Sequence, residues 1–182
     1  MKVTSLSIPD VLLIEPIVLK DSRGFFFESF REDVFRKETF LNVSFVQDNH
    51  SKSSQGVFRG LHYQIPPHAQ GKLTRVIQGE VLDIAVDIRA SSPTCGQYVA
   101  EILSGDNKKQ LYIPKGFAHG FLTLSETSEY LYKATDFYHP QSDRCILWND
   151  ARLNIKWPEG FKIHLSHKDF LGQSFESSEL HP

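Results

Sequence analysis

Apolar and polar residues alternate along several short stretches of the chain, most clearly over residues 81–89. Every second residue from Leu82 to Ile88 is apolar, whereas Asp83 and Asp87 fall on the opposite face. This period of two predicts a β-strand in a sheet with one face in the core and the other in water. Gly79-Glu80 predicts a hairpin turn that joins this strand to the one before it.

Eight further segments have the residue pattern of short strands. They are residues 11–19, 43–47, 57–64, 73–77, 98–103, 110–113, 120–124 and 129–135. Helical signals are few: capping-box spacing predicts one short helix opening at Ser29 and ending near Phe40, and a second opening at Ser166. Phe25-Phe26-Phe27 is predicted to lie in the core at the edge of a strand.

Many short strands with little helix are typical of a β-sandwich or barrel, most simply a jelly roll. The 182 residues suffice for one domain and contain no repeat, low-complexity block or linker. We therefore expect a single all-β domain over residues 1–182, with a few short helices. Such barrels hold polar ligands at their mouth, on inward side chains of several strands.

Charge and cysteine content narrow the class of protein. Lys and Arg number 20 against 22 Asp and Glu, for a net charge of −2. Nucleic-acid binders usually carry a basic excess, so no nucleic-acid partner is expected. No stretch approaches the roughly 18 apolar residues of a membrane span, so no membrane is expected either. Cys95 and Cys145 show no metal-site spacing and indicate reduced thiols of a cytoplasmic protein.

Two polar segments carry the candidate chemistry, residues 59–64 and 114–120. On a strand His62 and Gln64 share a face, and the pattern P-x-G-x-x-H that ends at His119 predicts a tight turn before a strand. The two segments are similar to the paired motifs of the cupin superfamily. A metal-binding cupin needs a second histidine where this chain has Gln64, a poor transition-metal ligand. Two histidines fall short of the usual three protein ligands, so no metal is expected.

Acid–base chemistry by side chains then remains. His62 is a candidate general base, and such a base works best beside a carboxylate that fixes its tautomer. Lys72 could neutralise an oxyanion. Three tyrosines could deliver a proton: Tyr130, Tyr132 and Tyr138. Each residue also has a structural interpretation, because His62 could be a hydrogen-bonded core histidine, Lys72 a solvated strand end and Asp169 a helix cap.

Nine segments, in order along most of the chain, resemble the dTDP-4-dehydrorhamnose 3,5-epimerase family, a metal-free branch of the cupins. They are DSRGFFFE (21–28), FVQDNHS (45–51), VFRGLHYQ (57–64), AQGKL (69–73), IPKGFAHGF (113–121), LYKAT (131–135), WND (148–150), IKWP (155–158) and LSHKD (165–169). One departure stands out. The family commonly has Glu-Gly where this chain has Asp143-Arg144, a shorter acid followed by an added cation.

The resemblance implies a cupin jelly roll that epimerises a dTDP-4-keto-6-deoxy sugar without a cofactor, as a homodimer. It implies that His62 is the base, oriented by Asp169, that Tyr132 is the acid on the other face of the sugar, and that Lys72 and His119 lie near the keto oxygen. The residues that it implies for the nucleotide and diphosphate are Arg23, Glu28, Gln47, Asn49, Arg59 and Lys168, with Tyr138 stacked on thymine and Asp143 as a further contact.

The implied chemistry is physically consistent, because a ketone at C4 acidifies the hydrogens on both C3 and C5. Epimerisation at both centres would give dTDP-4-keto-L-rhamnose, on the route to dTDP-L-rhamnose. Three alternatives stay open: an epimerase of C3 alone on a related dTDP-ketosugar, a cupin that only binds a sugar nucleotide, and a metal-dependent cupin oxygenase or isomerase.

Overall fold

Thirteen strands and two short helices make up the computed structural model, which describes residues 1–182. The strands are β1 Lys2–Ser5, β2 Leu12–Glu15, β3 Leu19–Asp21, β4 Gly24–Phe26, β5 Gln47–Ser54, β6 Phe58–Gln64, β7 Lys72–Gln78, β8 Glu80–Asp87, β9 Tyr98–Ser104, β10 Gln110–Ile113, β11 Phe117–Thr123, β12 Thr127–Ala134 and β13 Asp143–Cys145. The helices are α1 Glu32–Thr39 and α2 His167–Phe170, with a 3-10 turn at Pro140–Ser142. No helix is both long and apolar enough to cross a membrane.

Two antiparallel sheets form a sandwich. The six-stranded sheet has the order β1-β2-β10-β7-β12-β5, and the five-stranded sheet has the order β13-β6-β11-β8-β9. The main core lies between them, with Leu111 and Tyr130 from the first sheet and Val81, Ala85 and Phe121 from the second. The prediction of an all-β cupin-type jelly roll with a few short helices is confirmed.

The predicted strand at residues 81–89 exists as β8, but its polar face does not meet water. Leu82 and Ile84 lie under the C-terminal part of the chain, in a cluster that includes Leu153, Ile155 and Phe175. The alternate face, with Asp83 and Asp87, points between the sheets, and both carboxylates are fully buried. Alternation therefore identified the strand correctly and the environment of its polar face wrongly.

The predicted hairpin at Gly79-Glu80 is also wrong. β7 and β8 lie in different sheets, so Gly79 joins the two sheets instead of two paired strands. Gly79 has φ +77, and a Cβ there would lie 2.0 Å from the carbonyl oxygen of Thr127. Only glycine fits this close approach.

Three further local predictions need correction. The segment 43–47 is a connection, and the strand begins where it ends, at Gln47. The first helix has Arg31 at its N-cap without a side-chain cap, so the capping box at Ser29 does not form. Phe25 and Phe26 are 56% and 71% exposed on the separate β3–β4 hairpin instead of buried in the core. The second capping box does form, because Ser166 Oγ accepts a hydrogen bond from the Asp169 backbone N–H.

The backbones of β6 and β11 approach each other closely beside the space between the sheets. A Cβ on Gly60 would lie 2.5 Å from the Cα of Gly120, so both strands need glycine at this crossing. Beside it, His62 pairs with His119 across the two strands. Paired residues project from the same face of a sheet, and this places both imidazoles between the sheets.

Candidate active site

A polar pocket of about 360 Å³ opens between the two sheets and is lined by residues of β5, β6, β7, β11 and β12. Ten of the thirteen site residues expected from the sequence line it: Asn49, Arg59, His62, Lys72, His119, Tyr132, Tyr138, Asp143, Lys168 and Asp169. Alternation along the strands explains the convergence, because Lys72 and Tyr132 occupy inward positions of neighbouring strands. The imidazole of His62 and the ring of Tyr132 therefore share one cavity.

His62 and Asp169 form a hydrogen-bonded pair at the pocket wall. The Nε2 atom of His62 lies 2.5 Å from Oδ1 of Asp169, although the two residues are 107 positions apart. Ser166 Oγ donates to the other carboxylate oxygen, Oδ2, at 2.8 Å. The imidazole is 30% exposed and the carboxylate 3%, so the carboxylate is buried while the imidazole is accessible from the pocket.

The Asp169 carboxyl is held in its charged form. Burial alone would raise the pKa of this carboxyl, but hydrogen bonds from His62 and Ser166 outweigh burial and lower the pKa below its ordinary value. A charged carboxylate keeps the imidazole proton on Nε2 and leaves a lone pair on Nδ1. Asp169 is thus both the helix residue of a capping box and the orienting acid of His62.

A second pair, His119 and Asp83, lies deeper between the sheets. His119 Nε2 is 2.8 Å from Asp83 Oδ1, and the two side chains are 7% and 0% exposed. Tyr130 and Thr74 also donate to the Asp83 carboxylate. Burial lowers the pKa of His119 in spite of Asp83. Sequence reasoning missed Asp83 because its place on β8 was assigned to the solvent face.

Lys72 stands between the two pairs. Its ammonium donates to the backbone carbonyl of His62 at 3.3 Å and lies 5.7 Å from the centroid of the Tyr132 ring. Burial lowers the pKa of Lys72 to about 8, against the opposing effect of Asp143 and Asp83. The ammonium is therefore still charged at neutral pH. It is a single buried cation beside the candidate base.

Tyr132 keeps its proton well into the alkaline range. Burial raises the pKa of its phenol, and the negative charge of Asp143 adds to that effect. A phenol that stays protonated can serve as a proton donor at neutral pH.

The outer part of the pocket carries the groups suited to a nucleotide. Tyr138 donates from its hydroxyl to Asp143 Oδ2 at 3.0 Å, and Lys168 forms a salt bridge with the same carboxylate. Arg144, the added cation of the departure noted above, turns away to pair with Glu179 at 2.9 Å. The shorter acid at Asp143 therefore still reaches Tyr138 and Lys168 without interference from Arg144.

Gln47 lies behind the pocket wall instead of lining it. Its amide donates to Asn49 Oδ1 at 3.0 Å, and its carbonyl oxygen accepts from the Tyr138 backbone N–H at 2.8 Å. This leaves Nδ2 of Asn49 buried without a hydrogen-bond partner. A buried donor without a partner is costly, and a bound ligand with an acceptor atom would satisfy it.

Arg23 and Glu28 are the two predicted site residues that the fold places elsewhere. Arg23 pairs with Asp21 on the exposed β3–β4 hairpin, and Glu28 pairs with Arg31. Neither residue lines the pocket.

The side chain of Gln64, the residue that argued against a metal, is hydrogen-bonded to backbone groups. Its amide donates to the carbonyls of His68 and Phe137, and its carbonyl oxygen accepts from the His139 N–H. The side chain thus joins the two loops that border the pocket.

Comparison with known proteins agrees with this geometry. Residues 5–177 match the model of the family described as dTDP-4-dehydrorhamnose 3,5-epimerase. The chain belongs to the dTDP-4-dehydrorhamnose 3,5-epimerase family. It is 56% identical over 182 residues, all of both chains, to the dTDP-4-dehydrorhamnose 3,5-epimerase of Pseudomonas aeruginosa. As a member of this epimerase family, the chain is an isomerase.

Solved structures of the epimerase family superpose closely. The dTDP-6-deoxy-D-glucose-3,5-epimerase of Legionella pneumophila, in complex with dTDP-4-keto-L-rhamnose, is 47% identical with a TM-score of 0.95, over 98% of this chain and 94% of that one. A 3'-monoepimerase from Streptomyces bikiniensis, in complex with dTDP-quinovose, has a TM-score of 0.91 at 29% identity, over 97% and 91%. The two activities therefore share this fold, and the chain has the higher identity to the 3,5-epimerase.

Proposed function

We propose that this epimerase inverts C3 and C5 of dTDP-4-keto-6-deoxy-D-glucose to give dTDP-4-keto-L-rhamnose, a step of dTDP-L-rhamnose synthesis. The observation that carries the proposal is a single pocket that contains a His–Asp base, a buried ammonium and a protonated phenol. The high identity to 3,5-epimerases supports the choice of reaction over inversion at C3 alone.

His62 is the base in the proposed reaction. Its Nε2–H is engaged by Asp169, so Nδ1 has the lone pair that accepts the proton from the carbon next to the ketone. The imidazolium that forms is stabilised by the charged carboxylate of Asp169. Asp169 remains charged throughout, because its lowered pKa opposes proton transfer from the imidazolium.

Lys72 stabilises the enolate. Removal of the proton moves negative charge onto the C4 oxygen, and a buried cation that is already in place stabilises this charge more than water would. The low local polarity that lowers the pKa of Lys72 is the same condition that strengthens its interaction with an oxyanion.

Tyr132 returns a proton from the other face of the sugar. The raised pKa of its phenol keeps the proton available at neutral pH. Because β6 and β12 belong to the two different sheets, base and acid enter the pocket from opposite sides, so that in the proposed reaction removal and return occur on opposite faces and the centre inverts. All these steps move protons only, so the proposed reaction needs no redox coenzyme, and Gln64 argues against a metal.

The nucleotide binds at the outer part of the pocket. Arg59 and Lys168 supply positive charge for the diphosphate, and a guanidinium can donate two aligned hydrogen bonds to it. Tyr138 offers an exposed ring for stacking on thymine. Asn49 supplies the unpartnered amide donor, and Gln47 orients Asn49.

We further propose that the protein is a homodimer in the cytoplasm and that each chain folds as one domain. The β3–β4 hairpin presents Leu19, Phe25 and Phe26 to solvent, a surface that a second copy would cover. The same hairpin carries Arg23, and Glu28 follows it, so pairing of two chains would bring these residues to a partner's nucleotide. Phe26→Glu should give a monomer in light scattering with weaker dTDP binding, and an unchanged dimer would contradict the proposed interface.

Solvent exchange tests the reaction. In deuterated buffer the protein should introduce deuterium at both C3 and C5 of dTDP-4-keto-6-deoxy-D-glucose, followed by NMR. Deuterium at C3 alone would assign the chain to the 3-epimerases. Tight dTDP binding with no exchange would leave a protein that only binds sugar nucleotides.

A further inference from the structure

Cys145 lies beside the His62–Asp169 pair and takes no part in the proposed reaction. β13 pairs with β6, and Cys145 stands directly opposite His62 in that pairing, so both side chains project from the same face. Asp169 reaches the same point from α2. A ring nitrogen of His62, the Sγ of Cys145 and a carboxylate oxygen of Asp169 all lie within 4.8 Å of one another.

We propose that these three side chains form an inhibitory zinc site, with the fourth position of the ion open toward the pocket. One imidazole, one thiolate and one carboxylate are all ordinary zinc ligands, and three protein ligands with one open position are typical of accessible zinc sites. The thiolate and the carboxylate together balance the charge of the ion. Sequence spacing gives no sign of the site, because its ligands come from three separate segments.

Two of the three ligand atoms already lie side by side without the ion. His62 Nε2 and Asp169 Oδ1 are 2.5 Å apart and would have to separate to about 3.3 Å, the spacing that bonds of about 2.0 Å require in a tetrahedron. Ser166 holds the other carboxylate oxygen, which leaves Oδ1 for the ion. A shift of less than about 1 Å therefore converts the hydrogen-bonded pair into two ligands.

Proton movement accompanies binding. Burial raises the pKa of Cys145 to about 12, so the thiol carries its proton until the cation displaces it to solvent. On His62 the imidazole proton moves from Nε2 to Nδ1 as the ion takes Nε2. One proton leaves for each ion bound to neutral His62, and no oxidation or reduction occurs. Lys168 opposes the ion, but its charge is offset by Asp143.

The predicted consequence is loss of the base. Once Nδ1 carries the proton, His62 has no lone pair to accept one from the sugar. This consequence rests on the proposed function, whereas binding of the ion does not.

Cobalt and zinc titrations test the site. We expect one Co²⁺ per chain with a thiolate-to-cobalt charge-transfer band, release of one proton by calorimetry in two buffers, and zinc inhibition of solvent exchange. Cys145→Ser should lose the band and weaken zinc inhibition more than about tenfold, while exchange without metal persists. Cys145→Ala serves as a second variant, and Cys95→Ser is the matched control that should behave like the parent.

Cobalt binding without a thiolate band, or equal zinc inhibition of Cys145→Ser and the parent, would overturn the site. The two proposals fail separately. If the protein shows no solvent exchange in the absence of metal but gives the thiolate-to-cobalt band on titration with cobalt, the proposed function is contradicted and the zinc site is not.

Discussion

The protein contains two His–Asp pairs of the same chemistry in different surroundings. His62–Asp169 opens onto the pocket with its imidazole 30% exposed, whereas His119–Asp83 is enclosed between the sheets with its imidazole 7% exposed. In the open pair the acid has no other donor than Ser166 and the imidazole. In the enclosed pair the acid also accepts from Tyr130 and Thr74.

In the proposed mechanism, access to the pocket, and not the His–Asp pair itself, decides which histidine acts as the base. Burial lowers the pKa of His119, so charging that imidazole is costly in its setting. His62 can accept a proton beside an acid that stays charged. We therefore expect variants of the open pair to lose catalysis and variants of the enclosed pair to lose stability.

The largest effect is expected from His62→Asn, which removes the base while leaving a side chain of related shape. The rate of solvent exchange should fall about 10³-fold, the usual range for loss of a general base. His119→Asn should lower the rate far less. Rates are compared by NMR at saturating substrate, with thermal unfolding as the check on folding. A larger loss in His119→Asn would reverse the assignment of the two histidines.

Asp169→Asn should lower the exchange rate about 10²-fold with little change in dTDP affinity. An amide cannot stabilise the imidazolium and can favour the wrong tautomer of His62. Separate measurement of kcat and KM distinguishes this role from a role in substrate binding. If KM alone rises, Asp169 does not act through His62.

Asp83→Asn should act mainly on stability. An amide nitrogen would face donors that now converge on the carboxylate, and we expect the free energy of unfolding to fall by about 2 kcal/mol. For a chain of this size that corresponds to roughly 6 °C in Tm. Asp169→Asn, measured beside it by calorimetry, should shift Tm less. Equal shifts would mean that exposure does not distinguish the two pairs.

The smallest effect comes from Lys72, which lies between the pairs. Its lowered pKa of about 8 means that the ammonium loses its charge as the pH rises through that value. The exchange rate should therefore fall above pH 8, by up to about tenfold per pH unit. In Lys72→Arg the cation persists, so the alkaline decline should move to higher pH even if the rate itself is lower. A parent profile that stays flat to pH 10 would argue against the charge of Lys72.

Strand alternation predicted the sandwich because it is a local property, and the resemblance of nine motifs to one family implied most of the pocket. His62, Lys72 and Tyr132 were assigned from motifs, and the fold brought them to one cavity. Asp83 was missed because alternation reports that two faces differ, not which one faces water. The exposed Phe25 and Phe26 were placed in the core because composition alone cannot show that their hairpin stands apart from both sheets.

The pairing of His62 with Asp169 could not come from spacing, since 107 positions separate them. It depends on the way the last part of the chain crosses the five-stranded sheet, where the Phe58 N–H donates to the carbonyl of His164. A separate contact, the pairing of β13 with β6, places Cys145 beside His62, which no motif indicated.

That crossing also has a consequence for the order of events during biosynthesis. A nascent chain that has emerged from the ribosome up to residue 160 contains all thirteen strands, yet it lacks Ser166, Lys168 and Asp169 of the cavity lining and the buried Phe175 of the core. In the proposed mechanism such a chain could neither orient its imidazole nor supply the charge of Lys168 for the diphosphate, so turnover would begin only after the last helix docks.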